Sequence, residues 1–346
     1  MNCIEVVKRA VEYDSPPYLP IELLDVPEIY NAYFTRNPDD VEFIDGTDNF
    51  DSLWVGYSWS LKELGENEQG EPLRRDEWGV LYKVPRDESS AYVILENPLS
   101  APEDLIGYRM PDPREAQPFF QRTGEVIERR YRDRFINGYV DPGPFLVAFA
   151  LMGYERLLMN LIDNTHMVKD LIADIFTYQK QIVRYFRDIG AHMITLIDEL
   201  AGSAGLMFSP ALFREEFLSL YRDFFSFVKS QHLYSSILLD GNVTAIIDDI
   251  IAMDTDCVQF MEPNEVGIDE IARSFSGKRC IKTSVDMKTT LATGTPSQVR
   301  SEIHRMVRSF HTARGGYIPI ILRWHRPSYP EQNVRASVDA LRKYRQ

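Results

Sequence analysis

Short apolar runs alternate with longer amphipathic segments from about residue 135 to the end of the chain. Six of these runs have the composition of buried strands, at 135–140, 193–197, 237–239, 257–261, 280–285 and 317–322. The segments between them carry helix start signals, such as Ser209 before Pro210 and Thr295 before Pro296. Strand and helix patterns that alternate in this way predict βα units on a parallel sheet.

The first third of the chain must supply two more strands if this sheet closes. The candidates are 18–24 and 41–44, whereas residues 50–100 lack the βα rhythm and contain apolar runs at 78–84 and 92–96 after a glycine-rich turn. We therefore predict one α/β domain over residues 1–346. It is a (β/α)8 TIM-type barrel with a small antiparallel insertion at 50–100 in the N-terminal third.

Composition narrows the class of protein without naming a chemistry. The net charge of −14 argues against nucleic-acid binding, which needs clustered Lys and Arg. Only three cysteines occur, at 3, 257 and 280, and their spacing excludes a CxxC metal site and fits a reducing compartment. No apolar run approaches the ~18 residues that span a bilayer. We expect a cytoplasmic protein that binds no membrane.

Acidic residues follow four consecutive apolar runs. Asp198 and Glu199 end one run, Asp240 the next, Glu262 the third and Asp286 the fourth. The C-terminal ends of barrel strands form the active-site rim, so these side chains should face one mouth. The last run ends instead in Arg323, Trp324 and His325, and His325 is the only histidine at such a position.

A single acid after a strand is often a helix cap, and Asp286 is the most exposed to that interpretation. Several acids around one rim repel each other, so they bind a cation or hold a proton at raised pKa. The predicted catalytic residues are Asp198, Glu199, Asp240, Glu262 and His325, and the predicted substrate-binding residues are Tyr139, Asn242, Asp286, Arg323 and Trp324.

A set of short motifs, in consistent order over residues 70–346, resembles the uroporphyrinogen decarboxylase superfamily. The matching segments are 76–80, 141–145, 190–198, 208–213, 239–243, 294–299, 315–317 and 330–336. The resemblance implies a (β/α)8 barrel. It also implies one of two activities, porphyrinogen decarboxylation or transfer of methyl groups to or from a corrinoid.

The decarboxylase branch fits poorly. Its N-terminal Arg-Gln-Ala-Gly-Arg-Tyr fingerprint is missing from this chain, and an acidic rim is wrong for a polyanionic porphyrinogen. The thiol-methylating relatives bind zinc through a His-x-Cys and a later Cys. Those positions correspond here to Leu238, Asp240 and a residue near Arg323, while Glu262 matches a glutamate close to the metal. The resemblance therefore leaves open either an oxygen and nitrogen site for a divalent metal such as zinc, from Asp240, Glu262 and His325, or metal-free chemistry.

The function that the sequence favours is methyl transfer between a small methylated substrate, of the methyl ether or methylamine type, and a corrinoid (cobamide) on a partner protein. A carboxylic acid such as Glu199 or Glu262 would protonate a leaving oxygen, or carboxylates and aromatic rings would hold an ammonium group. The alternatives are a decarboxylase or lyase of a small acid, with Arg323 as the carboxylate clamp, and a binding protein without activity. The oligomeric state, including a homodimer, stays open.

Overall fold

Eight parallel strands close into a barrel in the computed structural model, which describes residues 2–24, 50–57, 61–84, 92–322 and 329–345. Each strand pairs with its neighbours in sequence, and the last pairs with the first. The prediction of a (β/α)8 TIM-type barrel is confirmed. In chain order the strands are Glu22–Leu24, Ser52–Tyr57, Phe135–Val140, Met193–Asp198, Tyr234–Leu239, Cys257–Phe260, Cys280–Thr283 and Tyr317–Leu322.

All six strands predicted after residue 134 are present, with ends that differ by up to three residues. The first strand, Glu22–Leu24, lies within the predicted segment 18–24, while the segment 41–44 lies outside the described residues. The second strand is Ser52–Tyr57, in the range predicted for the insertion. All six of its residues are buried, so it has no alternation of apolar and polar positions to mark it as a separate sheet.

The predicted antiparallel insertion is a four-stranded sheet next to the barrel. Its strands are Lys62–Glu66, Pro72–Arg75, Leu81–Lys83 and Val93–Glu96. Leu64, Val93 and Leu95 are exposed on it, whereas Trp78 and Tyr82 are buried against the main core. The insertion thus shares the hydrophobic core of the barrel.

Helices follow the strands and cover the barrel. The longest, Thr165–Asp188, buries a stripe of aliphatic and aromatic side chains that includes Ile175, Ile182 and Phe186. Thr295 caps its helix with a reciprocal bond pair to Gln298, as the sequence predicts. The α-helices are Cys3–Glu12, Gln117–Val126, Pro144–Met152, Tyr154–Asp163, Thr165–Asp188, Pro210–Leu212, Leu218–Ser230, Ile247–Ala252, Pro263–Val266, Ile268–Phe275, Thr290–Thr293, Pro296–Phe310 and Glu331–Arg342.

The N-terminal helix Cys3–Glu12 covers the end of the barrel at which the strands begin. Its buried residues Val7, Ala10 and Val11 pack on a small cluster of residues at the starts of the strands, including Phe135 and Cys257. The other rim, where the strands end, therefore carries the candidate site. Of the described helices, none is alone long and apolar enough to cross a membrane, and one pair, Pro144–Met152 with Tyr154–Asp163, passes by length and composition only despite a bend of 106°.

A buried ion pair lies inside the barrel, between the first and the seventh strand. Lys282 Nζ is 2.9 Å from Glu22 Oε1, and the two side chains are 0% and 1% exposed. Tyr139 completes the cluster, because its hydroxyl donates to Glu22 at 2.7 Å and accepts from Lys282 at 3.0 Å. Its ring stacks on Trp54 with centroids 3.5 Å apart. These two charged side chains are stable away from solvent because each has a partner of opposite sign and further hydrogen bonds.

We expect Lys282→Met to destabilise the protein by about 3–5 kcal/mol, because Glu22 would remain buried without a cation. The double variant Glu22→Gln with Lys282→Met should regain most of that loss. The measurement is the free energy of unfolding in urea. Arg305→Met, which breaks the exposed pair with Asp269, is the matched control and should cost less than about 1 kcal/mol. Equal losses in Lys282→Met and Arg305→Met would contradict the role of the buried pair.

Candidate active site

The predicted acids lie at the rim where the strands end, but they divide into two groups. Asp198 belongs to the first group, whose carboxylates are fully engaged by neighbouring backbone. It is 0% exposed and accepts from the amides of Phe145 at 3.2 Å and Leu146 at 3.0 Å, and from the Tyr221 hydroxyl at 2.6 Å. Burial raises its pKa to about 6 in spite of these bonds. Asp198 therefore anchors the start of the helix Pro144–Met152 and positions the rim.

The chain after the third strand passes very close to Asp198. A Cβ at Gly143 would lie 2.5 Å from the Asp198 carboxyl carbon and from the Ile197 carbonyl oxygen. Only glycine allows this approach, which brings the amides of Phe145 and Leu146 onto the carboxylate. The close packing explains the glycine at position 143.

Asp286 and Asn242 also hold local turns. Asp286 is 1% exposed and accepts from the amide of Thr289 at 2.9 Å, the Thr289 hydroxyl at 2.7 Å and the amide of Asn264 at 3.2 Å. The Asn242 side chain accepts from the hydroxyl of Thr244 at 2.6 Å. Asp286 therefore holds the turn before the helix Thr290–Thr293, whose N-cap is Thr289, and Asn242 has a comparable role in the turn after the fifth strand.

The second group consists of Glu199, Asp240 and Glu262, which interact electrostatically across the mouth. Burial, then the charges of Glu262 and Glu199, raise the pKa of Asp240 to about 7. Its Oδ1 atom is buried without a hydrogen-bond partner in the described chain. The enclosure of the mouth and the Glu262 charge also raise the pKa of Glu199, although part of that side chain is exposed. Asp240 is thus a carboxyl group poised to exchange a proton near neutral pH.

Lys288 is the cation of this group, and the sequence analysis did not identify it. Its Nζ lies 2.6 Å from Glu262 Oε2 and 3.8 Å from Glu265 Oε1. Glu262 is 7% exposed, whereas the Lys288 side chain is about half exposed. Lys288 follows Asp286 in the turn after the seventh strand, and a lysine in an exposed turn gives no signal in one sequence.

Asp141 is a further acid that the sequence analysis missed. It follows the third strand, Phe135–Val140, directly. Burial, with the charges of Glu199 and Asp198, raises its pKa to about 7. The rule that identified the other acids applies to Asp141 as well, because it is the first residue after a correctly predicted strand. Its place in a proline-rich segment obscured it.

An apolar cavity of about 140 Å³ opens beside Glu199. Rings of Phe145, Phe149 and Tyr154 form part of its wall, and leucine and methionine side chains form the rest. The helices Pro144–Met152 and Tyr154–Asp163, which follow the third strand, supply most of it. The site thus combines a charged rim with a pocket for a small apolar group.

Tyr139 does not reach this rim. It was predicted to bind substrate, but it is 0% exposed and its hydroxyl is held by the Glu22 and Lys282 pair within the barrel. Arg323, Trp324 and His325 lie outside the described residues. Of the three predicted metal ligands, the structure therefore gives the positions of two, Asp240 and Glu262.

The described residues do not form a metal site on their own. No group of three or more His, Cys, Asp and Glu side chains within the described ranges is arranged to hold a metal ion. The cation next to Glu262 is the Lys288 ammonium. The described residues therefore supply only part of a donor set for zinc.

Gly241 shapes the turn after Asp240. It has φ +76°, and a Cβ there would lie 2.4 Å from the Ala201 carbonyl oxygen. The Asn242 amide donates to the Gly202 carbonyl at 3.0 Å. These contacts fix the turns after the fourth and fifth strands against each other, and they bring Glu199 and Asp240 to the same side of the mouth.

The site is the acidic mouth of a closed (β/α)8 barrel, with an apolar cavity beside it. This arrangement is typical of barrel enzymes. The profile of uroporphyrinogen decarboxylase (URO-D) matches residues 78–344. The chain belongs to the uroporphyrinogen decarboxylase family, and the resemblance found in its motifs is confirmed.

Among solved structures, the chain is similar to a methyltransferase from Methanosarcina mazei, with a TM-score of 0.65 and 18% identity over 78% of this chain and 76% of the other. It is also similar to an endo-β-1,4-xylanase from Gloeophyllum trabeum, with a TM-score of 0.48 and 12% identity over 96% and 98% of the two chains. These likenesses concern the fold. Curated protein sequences give no match.

Asp240 should make stability depend on pH. Its pKa of about 7 in the folded state is above the ~3.9 of an unfolded chain, so the folded protein retains a proton that the unfolded chain releases. The stability from this group is complete below the unfolded value and is lost as pH rises through about 7. In Asp240→Asn that loss is absent, so between about pH 5 and about pH 8 the variant should gain about 2 kcal/mol relative to wild type.

Chemical denaturation over this pH range measures the difference. Asp269→Asn is the matched control, because Asp269 lies in an exposed ion pair with Arg305. Curves of stability against pH that run parallel for wild type and Asp240→Asn would show that Asp240 ionises normally.

Proposed function

We propose that the protein transfers a methyl group between a small methylated substrate and a corrinoid protein that docks over the barrel mouth. Membership in the uroporphyrinogen decarboxylase family and the structural likeness to a methyltransferase support a methyltransferase-like activity. The observation that carries the proposal is that Asp240, whose Oδ1 atom has no hydrogen-bond partner among the described residues, interacts electrostatically with Glu199, which lines the apolar cavity.

The chemistry of demethylation needs few protein groups. The bond from the methyl carbon to the substrate oxygen or nitrogen breaks, and its electron pair stays with the oxygen or nitrogen. The corrinoid supplies a reduced cobalt that accepts the methyl group. The residues of this chain then have two tasks, which are to hold the substrate in line and to stabilise the leaving group.

Asp240 suits the second task for a methyl ether. An alkoxide or phenoxide leaving group takes up a proton, and a carboxyl group whose pKa lies near 7 can donate it. Glu262 differs from Asp240, because the Lys288 ammonium lies 2.6 Å from its Oε2 atom. The structure therefore favours Asp240 as the proton donor, whereas the sequence analysis favoured Glu199 or Glu262.

The proposed reaction does not require a metal ion in addition to the Lys288 ammonium. A divalent metal would draw on Asp240 and Glu262, and on His325 outside the described residues, but Lys288 already lies against Glu262. The lyase alternative depends on Arg323, which also lies outside those residues. No observation favours either alternative over methyl transfer.

The test is to mix the purified protein with reduced corrinoid protein and a methoxylated aromatic compound or a methylated amine. We expect the demethylated product together with a change in the corrinoid absorbance. No product with any substrate of these classes, while the corrinoid protein is methylated by a known partner, would contradict the proposal.

For an ether substrate, Asp240→Asn should lower kcat by a factor of about 10²–10⁴, because the leaving oxygen loses its proton donor. The wild-type rate should fall as pH rises through about 7, and the variant should lack that dependence. Asp269→Asn is the surface control. Full activity of Asp240→Asn with the same pH profile as wild type would remove Asp240 from the reaction.

A further inference from the structure

The cavity beside Glu199 has an unusual wall for a pocket that holds an ether. It is apolar except for one charged side chain, the carboxylate of Glu199. Phe149 and Tyr154 stand edge to face, with ring centroids 6.1 Å apart and an angle of 73° between them. Phe145, which is 2% exposed, closes the cavity from the side of the barrel.

Glu199 has no cation of its own in the described structure. Lys288, the ammonium at the mouth, lies against Glu262 at 2.6 Å and near Glu265 at 3.8 Å. Within the described ranges, the Glu199 carboxylate makes no hydrogen bond. Glu262 and Asp141 add negative charge nearby, since each interacts electrostatically with Glu199. The cavity therefore lies beside a cluster of carboxylates, whose charge Lys288 offsets only in part.

We propose that this cavity binds the methylated ammonium group of a cationic substrate, with Glu199 as its counter-ion. This inference rests on the proposed methyl transfer and names the substrate class for the same site. Aromatic faces with a nearby carboxylate are the surroundings that a quaternary ammonium group prefers, because its charge is spread over methyl groups that carry no hydrogen-bond donor.

The size of the cavity agrees with such a group. A cavity of about 150 Å³ with an apolar wall is known to hold one benzene molecule, so about 140 Å³ accommodates a trimethylammonium group. A methoxy group also fits by volume. It would, however, place no charge opposite the Glu199 carboxylate, whereas a cation forms an ion pair with it. Charge, more than volume, selects the cation.

The chemistry is consistent with an ammonium substrate. When the C–N bond breaks, its electron pair stays on nitrogen, and the methyl group passes to the reduced cobalt of the corrinoid protein. The product amine leaves uncharged and needs no proton in this step. As long as the amine stays uncharged, it lacks the attraction to Glu199 that held the substrate, which favours exchange of product for substrate.

Binding tests the inference without the corrinoid partner. Isothermal titration would compare choline with 3,3-dimethylbutan-1-ol, which has the same shape but no charge. We expect choline to bind at least about tenfold more tightly than the alcohol. Glu199→Gln should weaken choline binding about tenfold and leave the alcohol unchanged, and Phe149→Leu should weaken choline by a smaller factor. Glu265→Gln, a rim carboxylate outside the cavity wall, is the matched control and should bind choline as wild type does.

The outcomes separate this inference from the proposed function. Equal affinity for choline and the alcohol, or choline binding that Glu199→Gln does not weaken, overturns the cation site. Turnover of a methoxylated aromatic compound in that case would leave methyl transfer intact. Choline binding that depends on Glu199, with no demethylation of any substrate, would support the cation site and contradict the methyl transfer.

Discussion

Repulsion between carboxylates is the constraint on which this site depends. Parallel strands end at one rim, so acids that follow consecutive strands must approach each other there. The protein resolves the repulsion in two ways. Asp198 and Asp286 are covered by backbone amides and hydroxyls, and their charges hold the turns in place. The Glu199 carboxylate has no such donor among the described residues, and Asp240 has the Met261 amide for one oxygen only. Burial, and then the neighbouring carboxylates, raise the pKa of both groups.

The division gives each acid a distinct use. The bonded acids build the rim, since the Asp198 contacts require Gly143 and fix the helix that forms the cavity wall. Glu199, Asp240 and Glu262 lie at the mouth. Lys288 lies against Glu262, and its charge also offsets those of Glu199 and Asp240 in part. In the proposed reaction, Asp240 is the proton donor and Glu199 is the ion partner of the substrate.

Most of the fold could be predicted from the sequence, because the buried strands of a parallel barrel are continuous apolar runs. The strand Phe135–Val140 has the predicted bounds, and Asp240 and Glu262 lie where the strand-end rule puts them. The second strand, Ser52–Tyr57, was not predicted, because the strands that follow it in the sequence belong to an antiparallel sheet and do not alternate with helices. Tyr139 was assigned to the rim, although its partners Glu22 and Lys282 are distant in sequence and bring it into the core. The contact of Lys288 with Glu262 likewise arises only in three dimensions.

The N-terminal helix has a consequence for the order of events. The helix Cys3–Glu12 packs on the start of the strands and so covers one end of the barrel. Only the opposite rim is then open to ligands. In the proposed reaction, the methylated substrate and the corrinoid protein must then both approach the site from this rim. The small molecule has to be seated before the large partner covers the opening, and its product can leave only after the partner departs. In the proposed reaction, this order of binding and release follows from a site that opens at one rim of a filled barrel.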